Sequence, residues 1–471
     1  MIRQYETKVQ ELKQSVLRAV AKLCWEGQLD GSHLLDVPRQ IIPGPKATMR
    51  CCIYKERAII GDRMKLAMGG DPSNPNMVEV LPVACDECPV TDMMVNDSCR
   101  GCIATRCVNA CPKGAIQVVN HRSTIDHSKC ISCGKCMAAC PYGAIVKNVR
   151  PCERSCPTGA ISMGEDKKAS IDPERCIACG TCVNACPFGA IMDKSYLVDA
   201  IGLLKGGTKW GYRVYAILAP SIAGQFAPAT LEQVVEGLKQ LGFCQVEEVA
   251  HGADLTAWEE SAELAEKGSL LSSCCPAFVS YVKKFHPKQA EDISHTPSPM
   301  VMSGREIKAR DPEARVIFIG PCVAKKGELK SGKAAGAVDC VLTYEELAAL
   351  LDSREIDLCQ LEGEPLTQAS SYGRGFAHSG GVAAAVAKAA QERGLDFTPQ
   401  PVVSSGIREC NLNLLKRNAG RLDGNFIEGM ACEGGCVSGA GCLLRSPKNR
   451  QAVEEYAKKA EKQQVGTERE Q

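Results

Sequence analysis

Cysteines at tight spacing are the residues best placed to do chemistry in this chain. Two segments, Cys130, Cys133, Cys136, Cys140 and Cys176, Cys179, Cys182, Cys186, follow C-x2-C-x2-C-x3-C-P. In that run three thiolates wrap one iron–sulfur cubane and the fourth, turned away by the proline, reaches a second. Cys99, Cys102, Cys107 and Cys111 form a looser copy, with four residues between the second and third cysteines. Crossed pairing then puts Cys99, Cys102 and Cys107 with Cys140, and Cys130, Cys133 and Cys136 with Cys111. A further copy reads as degenerate, keeping only Cys152 and Cys156. Cys156 would complete the set of Cys176, Cys179 and Cys182. Cys186 and Cys152 then need two more ligands, which Cys85 and Cys88 would supply. That last set rests on counting, and a structural or unclustered Cys85/Cys88 pair is its rival. Zinc also takes four cysteines, but the ending Cys-Pro-x-Gly-Ala-Ile, at Cys111, Cys140, Cys156 and Cys186, favours iron–sulfur. Such centres conduct single electrons.

The back half holds cysteines in three other contexts: Ser272-Ser273-Cys274-Cys275-Pro276, Gly320-Pro321-Cys322-Val323-Ala324-Lys325, and Met430-Ala431-Cys432-Glu433-Gly434-Gly435-Cys436. Each alone reads as a buried structural cysteine. Behind several electron-carrying centres, together they point to a redox site.

These residues need elements to hold them. Val9, Leu12, Val16, Val20 and Leu23 recur at helical spacing and predict an N-terminal docking helix within a partly helical region 1–80. The breaker cluster Gly69–Pro75 precedes the cysteine-rich stretch 81–200 with its four repeats, and Lys205-Gly206-Gly207 reads as a hinge. From 205 to 450, apolar runs at Val214–Leu218, Val316–Ile319 and Val338–Leu342 alternate with helical patterns at Leu231–Leu241 and Tyr344–Leu351. That alternation predicts parallel sheets in an α/β domain, whose strand ends would carry the site. Residues 451–471 read as a charged tail, a frayed helix.

The three cysteine segments, in this order and spacing, resemble the signature motifs of the iron-only ([FeFe]) hydrogenases. The likeness covers most of residues 85–445, including Ala219-Pro220-Ser221 and His378-Ser379-Gly380-Gly381-Val382. The short front end, without a plant-type ferredoxin module, resembles the group B branch. The resemblance implies a two-lobed α/β catalytic domain of mostly parallel sheets flanked by helices, preceded by a ferredoxin-like α+β domain with three to four accessory [4Fe-4S] clusters. It implies that Cys275, Cys322, Cys432 and Cys436 hold the cubane half of an H-cluster. Cys436 would bridge to a two-iron half bearing carbon monoxide, cyanide and azadithiolate. Lys325 would pair with a cyanide, while Pro220, Ser221 and Met430 would line the two-iron site. Cys274, Glu260, Glu263 and Ser294 match a proton relay, and Ser298 a serine near the bridge. For Glu260 and Glu263 the rival reading is a solvated helix face. Gly320, Met300, Ala440 and Cys442 depart from the family pattern; Cys442 reads as a buried thiol.

The implied activity is reversible interconversion of protons and electrons with dihydrogen. The implied partners are ferredoxin or a similar electron carrier, and the hydrogenase maturation proteins. A hydrogen sensor and a non-catalytic hydrogenase-like iron–sulfur protein are the alternatives, and retention of the relay set favours catalysis. Composition agrees. The 471 residues are 45% hydrophobic and carry a net charge of +1, and only 5% are aromatic, which argues against a nucleic-acid binder. The 29 cysteines, with no secretory leader or membrane span in view, predict an oxygen-sensitive cytoplasmic protein, a monomer or small homo-oligomer.

Overall fold

The computed structural model describes residues 5–88, 92–332 and 334–466. The chain opens with helices Lys8–Glu26, Gly31–Ile41 and Ile53–Ala67. The first forms as its periodicity predicts: Val16, Leu17, Val20 and Ala21 are fully buried. Thr7 caps its start, and Gly27, at φ 72°, ends it in the left-handed conformation. It packs on the helices Tyr344–Ser353 and Leu197–Trp210 of the later chain.

The cysteine-rich stretch, read above as one domain, folds as two units, one nested inside the other. Strand β1 (Val78–Val80) opens the inner unit. The chain then leaves it to build the outer unit from β2 (Asp92–Val95), β3 (Ile116–Val119), β4 (Arg122–Ile125) and β5 (Ile145–Asn148). It returns to the inner unit with β6 (Ile161–Met163), β7 (Ala169–Ile171) and β8 (Ile191–Asp193). Each unit has the same antiparallel plan: β1 pairs β8 and β6 pairs β7 inside, while β2 pairs β5 and β3 pairs β4 outside. The inner unit starts at Val78, ahead of the expected boundary, because β8 needs a partner.

Lys205-Gly206-Gly207 is no hinge. It lies within the helix Leu197–Trp210. These glycines admit the returning chain: a Cβ on Gly206 would stand 2.1 Å from the Tyr212 hydroxyl.

The α/β region holds two parallel sheets, as expected. One has the order β10-β9-β12-β13, from β9 (Val214–Leu218), β10 (Gln245–Glu248), β12 (Arg315–Gly320) and β13 (Cys340–Thr343). The other has the order β11-β15-β14, from β11 (Leu270–Leu271), β14 (Pro401–Ser405) and β15 (Phe426–Met430). Strands covered on both faces are largely apolar, and every residue of β9 and β15 is buried, Glu428 included. The expected frayed tail instead docks. In the helix Lys448–Lys458, Val453 is fully buried and the Tyr456 hydroxyl donates to Glu248 at 2.6 Å. Among the described residues, no helix is long and apolar enough to cross a membrane.

Candidate active site and electron relay

The repeat ending Cys-Pro-x-Gly-Ala-Ile has one local geometry. Its glycine sits at positive φ in all four copies, Gly114, Gly143, Gly159 and Gly189, a conformation that glycine adopts without steric cost. The turn aims the next amide at the cysteine. The N–H groups of Ala115, Ala144, Ala160 and Ala190 donate to the sulfurs of Cys111, Cys140, Cys156 and Cys186 at 3.3, 3.4, 3.2 and 3.2 Å. Hydrogen bonds to the sulfurs are among the factors that set cluster potential.

The crossed sets come together. Cys99, Cys102, Cys107 and Cys140 line one small cavity; Cys111, Cys130, Cys133 and Cys136 a second; and Cys156, Cys176, Cys179 and Cys182 a third. Cys88 and Cys152 both lie within reach of the charges of Cys85 and Cys186. Burial, then the charge of Cys186, pushes Cys152 up to about 11 and raises Cys88. Cys85 and Cys88 therefore stand as the candidate partners of the copy read as degenerate. Cys85-x2-Cys88 precedes the outer unit and Cys152-x3-Cys156-Pro follows it, so the insertion hides the match from a local reading.

The four remaining motif cysteines lie beyond the C-terminal ends of parallel strands, where sites of α/β folds form. Cys275 and Cys322 cap the helices Pro276–Phe285 and Val323–Leu329, while Cys432 and Cys436 follow β15. The last loop needs its glycines: Gly435 has φ 97°, and a Cβ there would lie 2.7 Å from the Ser379 amide. That contact explains the nearby His378-Ser379-Gly380 motif, which braces the loop by Ser379 N–H donating to Gly434 O at 3.1 Å. Burial, reinforced by neighbouring thiolates, lifts Cys322 to about 12 and raises Cys432 and Cys436 well above the ordinary thiol value. Cys275, Cys322 and Cys436 line a mostly apolar cavity of about 80 Å³, together with Pro220, Ser221, Cys274, Lys325 and Met430, among others. Four converging thiols, a buried cation and an apolar cavity fit a cluster with anionic ligands. Cys179 is close enough for its charge to act on Cys432, so the Cys156/Cys176/Cys179/Cys182 cage abuts this site. A Cβ on Gly180 would lie 2.5 Å from that of Ala440, which places one family departure at the contact. Gly320 has a similar reason: a Cβ there would strike the Phe318 ring at 2.5 Å, and that ring lines the cavity. Cys442 is fully buried and donates to carbonyl oxygens of Cys436 and Val437.

The relay residues assemble on the other side. Glu260 is fully buried, not on a solvated face. Its Oε1 accepts from the Ser273 N–H and Oγ, both at 3.0 Å, and its Oε2 is buried without a partner. Burial lifts it to about 7. Ser294 Oγ donates to Glu263 Oε2 at 2.7 Å. Lys267 and the His295 N–H also donate to Glu263, and these bonds outweigh burial and hold it at about 2. Ser294 also stands beside Glu260, between the two carboxylates, although its proton goes to Glu263. Burial and the Glu260 charge hold the Cys274 thiol well up. Ser294 and His295 open on a cleft of about 980 Å³. Lys325 Nζ donates to Ser298 Oγ at 2.8 Å and to Glu328 Oε2 at 2.7 Å. Burial pulls Lys325 down, but Glu328 more than offsets that. Sequence reading missed Ser273 and Glu328. The i, i+3 spacing of Lys325 and Glu328 was a visible signal.

A buried charge network grips the helix of Lys325 from behind. Lys13 bonds Asp193 at 2.5 Å and Glu345 at 2.6 Å; Lys326 bonds Asp193 at 2.8 Å and Glu346 at 2.9 Å. It ties the N-terminal helix, the end of β8 and the catalytic region together.

Comparison with known proteins agrees with this geometry. A family model described as iron only hydrogenase large subunit, C-terminal domain, matches residues 212–440. A 4Fe-4S dicluster domain model matches residues 150–190, and a 4Fe-4S binding domain model residues 123–146. The chain is 31% identical to the periplasmic [Fe] hydrogenase large subunit of Nitratidesulfovibrio vulgaris over 382 residues, 68% of this chain and 86% of that one. It is 27% identical to iron hydrogenase 1 of Clostridium pasteurianum over 404 residues, 73% and 69% of the two chains. A shorter stretch of 155 residues, 31% of this chain and 34% of the other, is 33% identical to the cytosolic Fe-S cluster assembly factor NAR1 of Eremothecium gossypii.

Proposed function

The chain belongs to the iron-only hydrogenase family, and from that premise we propose that it interconverts protons and electrons with dihydrogen at an H-cluster. Cys275, Cys322, Cys432 and Cys436 would hold the cubane half and Cys436 the two-iron half, beside Pro220, Ser221, Met430 and the Lys325 cation. Bound there, the group supplies the metal site at which dihydrogen is cleaved or formed.

The chain's own part is to keep the site dry and to move protons. The apolar cavity wall excludes water, which strengthens the Lys325 charge inside it. Lys325 is held in place by Ser298 and Glu328 and offsets an anionic ligand. Cys274 stays a neutral donor because burial opposes its ionisation. Glu260, near neutrality at about 7, is suited to take and return that proton at working pH. Ser294 hands it to Glu263, and Glu263 releases it at the cleft.

Electrons would run through the four ferredoxin-like cages to an external carrier such as ferredoxin. The outer unit is its proposed docking end: Cys133 is exposed, and residues 92–148 hold seven Lys and Arg against three Asp. Maturation proteins would deliver the two-iron half, and the abundance of thiolates fits the cytoplasm.

One observation carries the reading: Glu260, buried beside Cys274 with an unpartnered Oε2, neighbours Ser294, which donates to Glu263 at the edge of the cleft. An assembly role like that in the name of the shorter match, or a sensing role, needs the cages but no proton exit. Infrared spectra of the matured protein, with hydrogen turnover, test the proposal. Carbonyl and cyanide bands with turnover are expected. Their absence after maturation overturns the H-cluster, and bands without turnover favour sensing.

A further inference from the structure

The cage of Cys85, Cys88, Cys152 and Cys186 differs from the others in its surroundings. Among the described residues the buried arginines are Arg63, Arg150 and Arg374. Arg374 is neutralised by Glu248 at 2.8 Å, and the other two both stand at this cage. Arg150 donates to Lys167 O at 2.5 Å and reaches to 4.0 Å of the Cys85 sulfur. Arg63 donates to Gly189 O at 2.8 Å, on the turn that carries Cys186. That turn is shaped to admit it, since a Cβ on Gly189 would lie 2.4 Å from the Arg63 guanidinium. The Nε of each is buried with no hydrogen-bond partner. Arg50 adds a third guanidinium, 5.0 Å over Phe188, but shares its charge with Glu87 at 3.1 Å.

Buried cations with orphaned donors are costly unless an anion lies among them. A thiolate-bound cluster is such an anion. Each electron it accepts adds one negative charge, which nearby fixed cations stabilise. We infer that Arg63 and Arg150 make this cage the highest-potential of the four accessory sites, an electron-retaining station at the junction of the two iron–sulfur units. The inference rests on the iron–sulfur and hydrogenase reading above.

Connectivity places the station. Asp92 and Asn148 pair across β2 and β5; Asp92 follows Cys88 by four residues and Asn148 precedes Cys152 by four. Both connections to the outer unit therefore leave from this cage, within roughly 14 Å of chain. An electron travelling between the outer unit and the active site meets it. One electron enters, the occupant gains one negative charge, and the electron leaves toward either neighbour, with no bond made or broken. An electron reaching this cage from either side runs downhill and must climb to leave, so the cage holds charge between the two units.

A redox titration of the iron-loaded full-length protein, followed by electron paramagnetic resonance, tests this. Cys85→Ser identifies the signal that belongs to the cage. That signal is expected at the highest potential of the four. Arg63→Gln and Arg150→Gln should each move it alone to lower potential at unchanged iron content, and Arg63→Lys should move it less. A signal that starts below any other accessory signal, or that stays in place in both Gln variants, overturns the inference. Should the Gln variants lose iron, the wild-type ranking and the Lys variant decide on the same terms. A loaded protein with no accessory cluster signals at all would sink the iron–sulfur reading, and the station with it.

Discussion

The outer and inner iron–sulfur units share one plan and differ in what touches them. Both cross their thiolate sets between two cages, and both aim an alanine amide at the last sulfur of each repeat. The outer unit faces solvent: Cys133 is exposed, as are Ile103, Ile131 and Tyr142. The inner unit is enclosed. Arg63 of the helix Ile53–Ala67 reaches one cage, Ala440 and Val323 press on the other, and the Lys13 network ties β8 to the catalytic region. Ligand spacing decides what is bound, and the surrounding layer decides what the bound group is for. On the proposed function the outer cages would exchange electrons, and the inner ones would hold and deliver them.

Removing the outer unit is the most drastic way to break this comparison. The paired ends Asp92 and Asn148 allow residues 92–148 to be replaced by a short linker. Carrier-linked turnover should vanish, while turnover with a small artificial donor and the infrared bands persist. Loss of the bands would show that the outer unit also supports the active site.

A single buried atom should matter nearly as much on the inner side. Glu260→Gln keeps the shape and removes the titration, so turnover should fall about 10²–10⁴-fold with cluster content unchanged. The wild-type rate profile should carry a step near pH 7, from the Glu260 value of about 7, and the variant should lack it. Stability has a definite sign here. The folded protein holds a proton that the unfolded chain, titrating near 4.5, has released. Glu260's contribution therefore falls as pH rises from 4.5 to about 7 and stays lost above, so replacement by Gln should stabilise the fold at pH 8.

The clamp between units comes next in size. Lys13 is buried between Asp193 and Glu345. Lys13→Met leaves Glu345 without its lysine and Asp193 with Lys326 alone, and should cost about 3–5 kcal/mol of stability by chemical denaturation. A cost near zero would mean that the N-terminal helix docks by its apolar face alone.

Much of this was legible because the signals were local. The regular cysteine runs, the apolar strands Val214–Leu218 and Val316–Ile319 and the first helix announce themselves within a few residues. What was hidden depends on distant partners. Cys85 and Cys88 belong to a motif whose other half lies beyond an inserted unit, so only counting linked them to Cys152 and Cys186. Gly206 and Gly207 look like a hinge until Tyr212 is seen returning against them. Arg63 and Lys13 carry no motif, and their burial is a tertiary fact. Glu260 and Glu263 fit a surface helix by spacing, and the resemblance, not the pattern, singled them out. Glu328 was readable but passed over.

The smallest effect is expected at His127, three residues before Cys130 in the outer unit. An imidazole so near a cluster run could pass for a ligand. In the structure its Nδ1 pairs with Asp92 Oδ2 at 2.5 Å, and its side chain is 54% exposed. An exposed pair of this kind contributes between zero and about 1 kcal/mol. His127→Ala should therefore leave iron content, accessory signals and denaturation midpoint almost unchanged. Arg150→Gln, at the junction with the inner unit, should move one potential under the same conditions. If His127→Ala instead stripped a cluster, the outer unit would not repeat the inner one's all-cysteine design, and the comparison of two like units in unlike surroundings would fail at its first term.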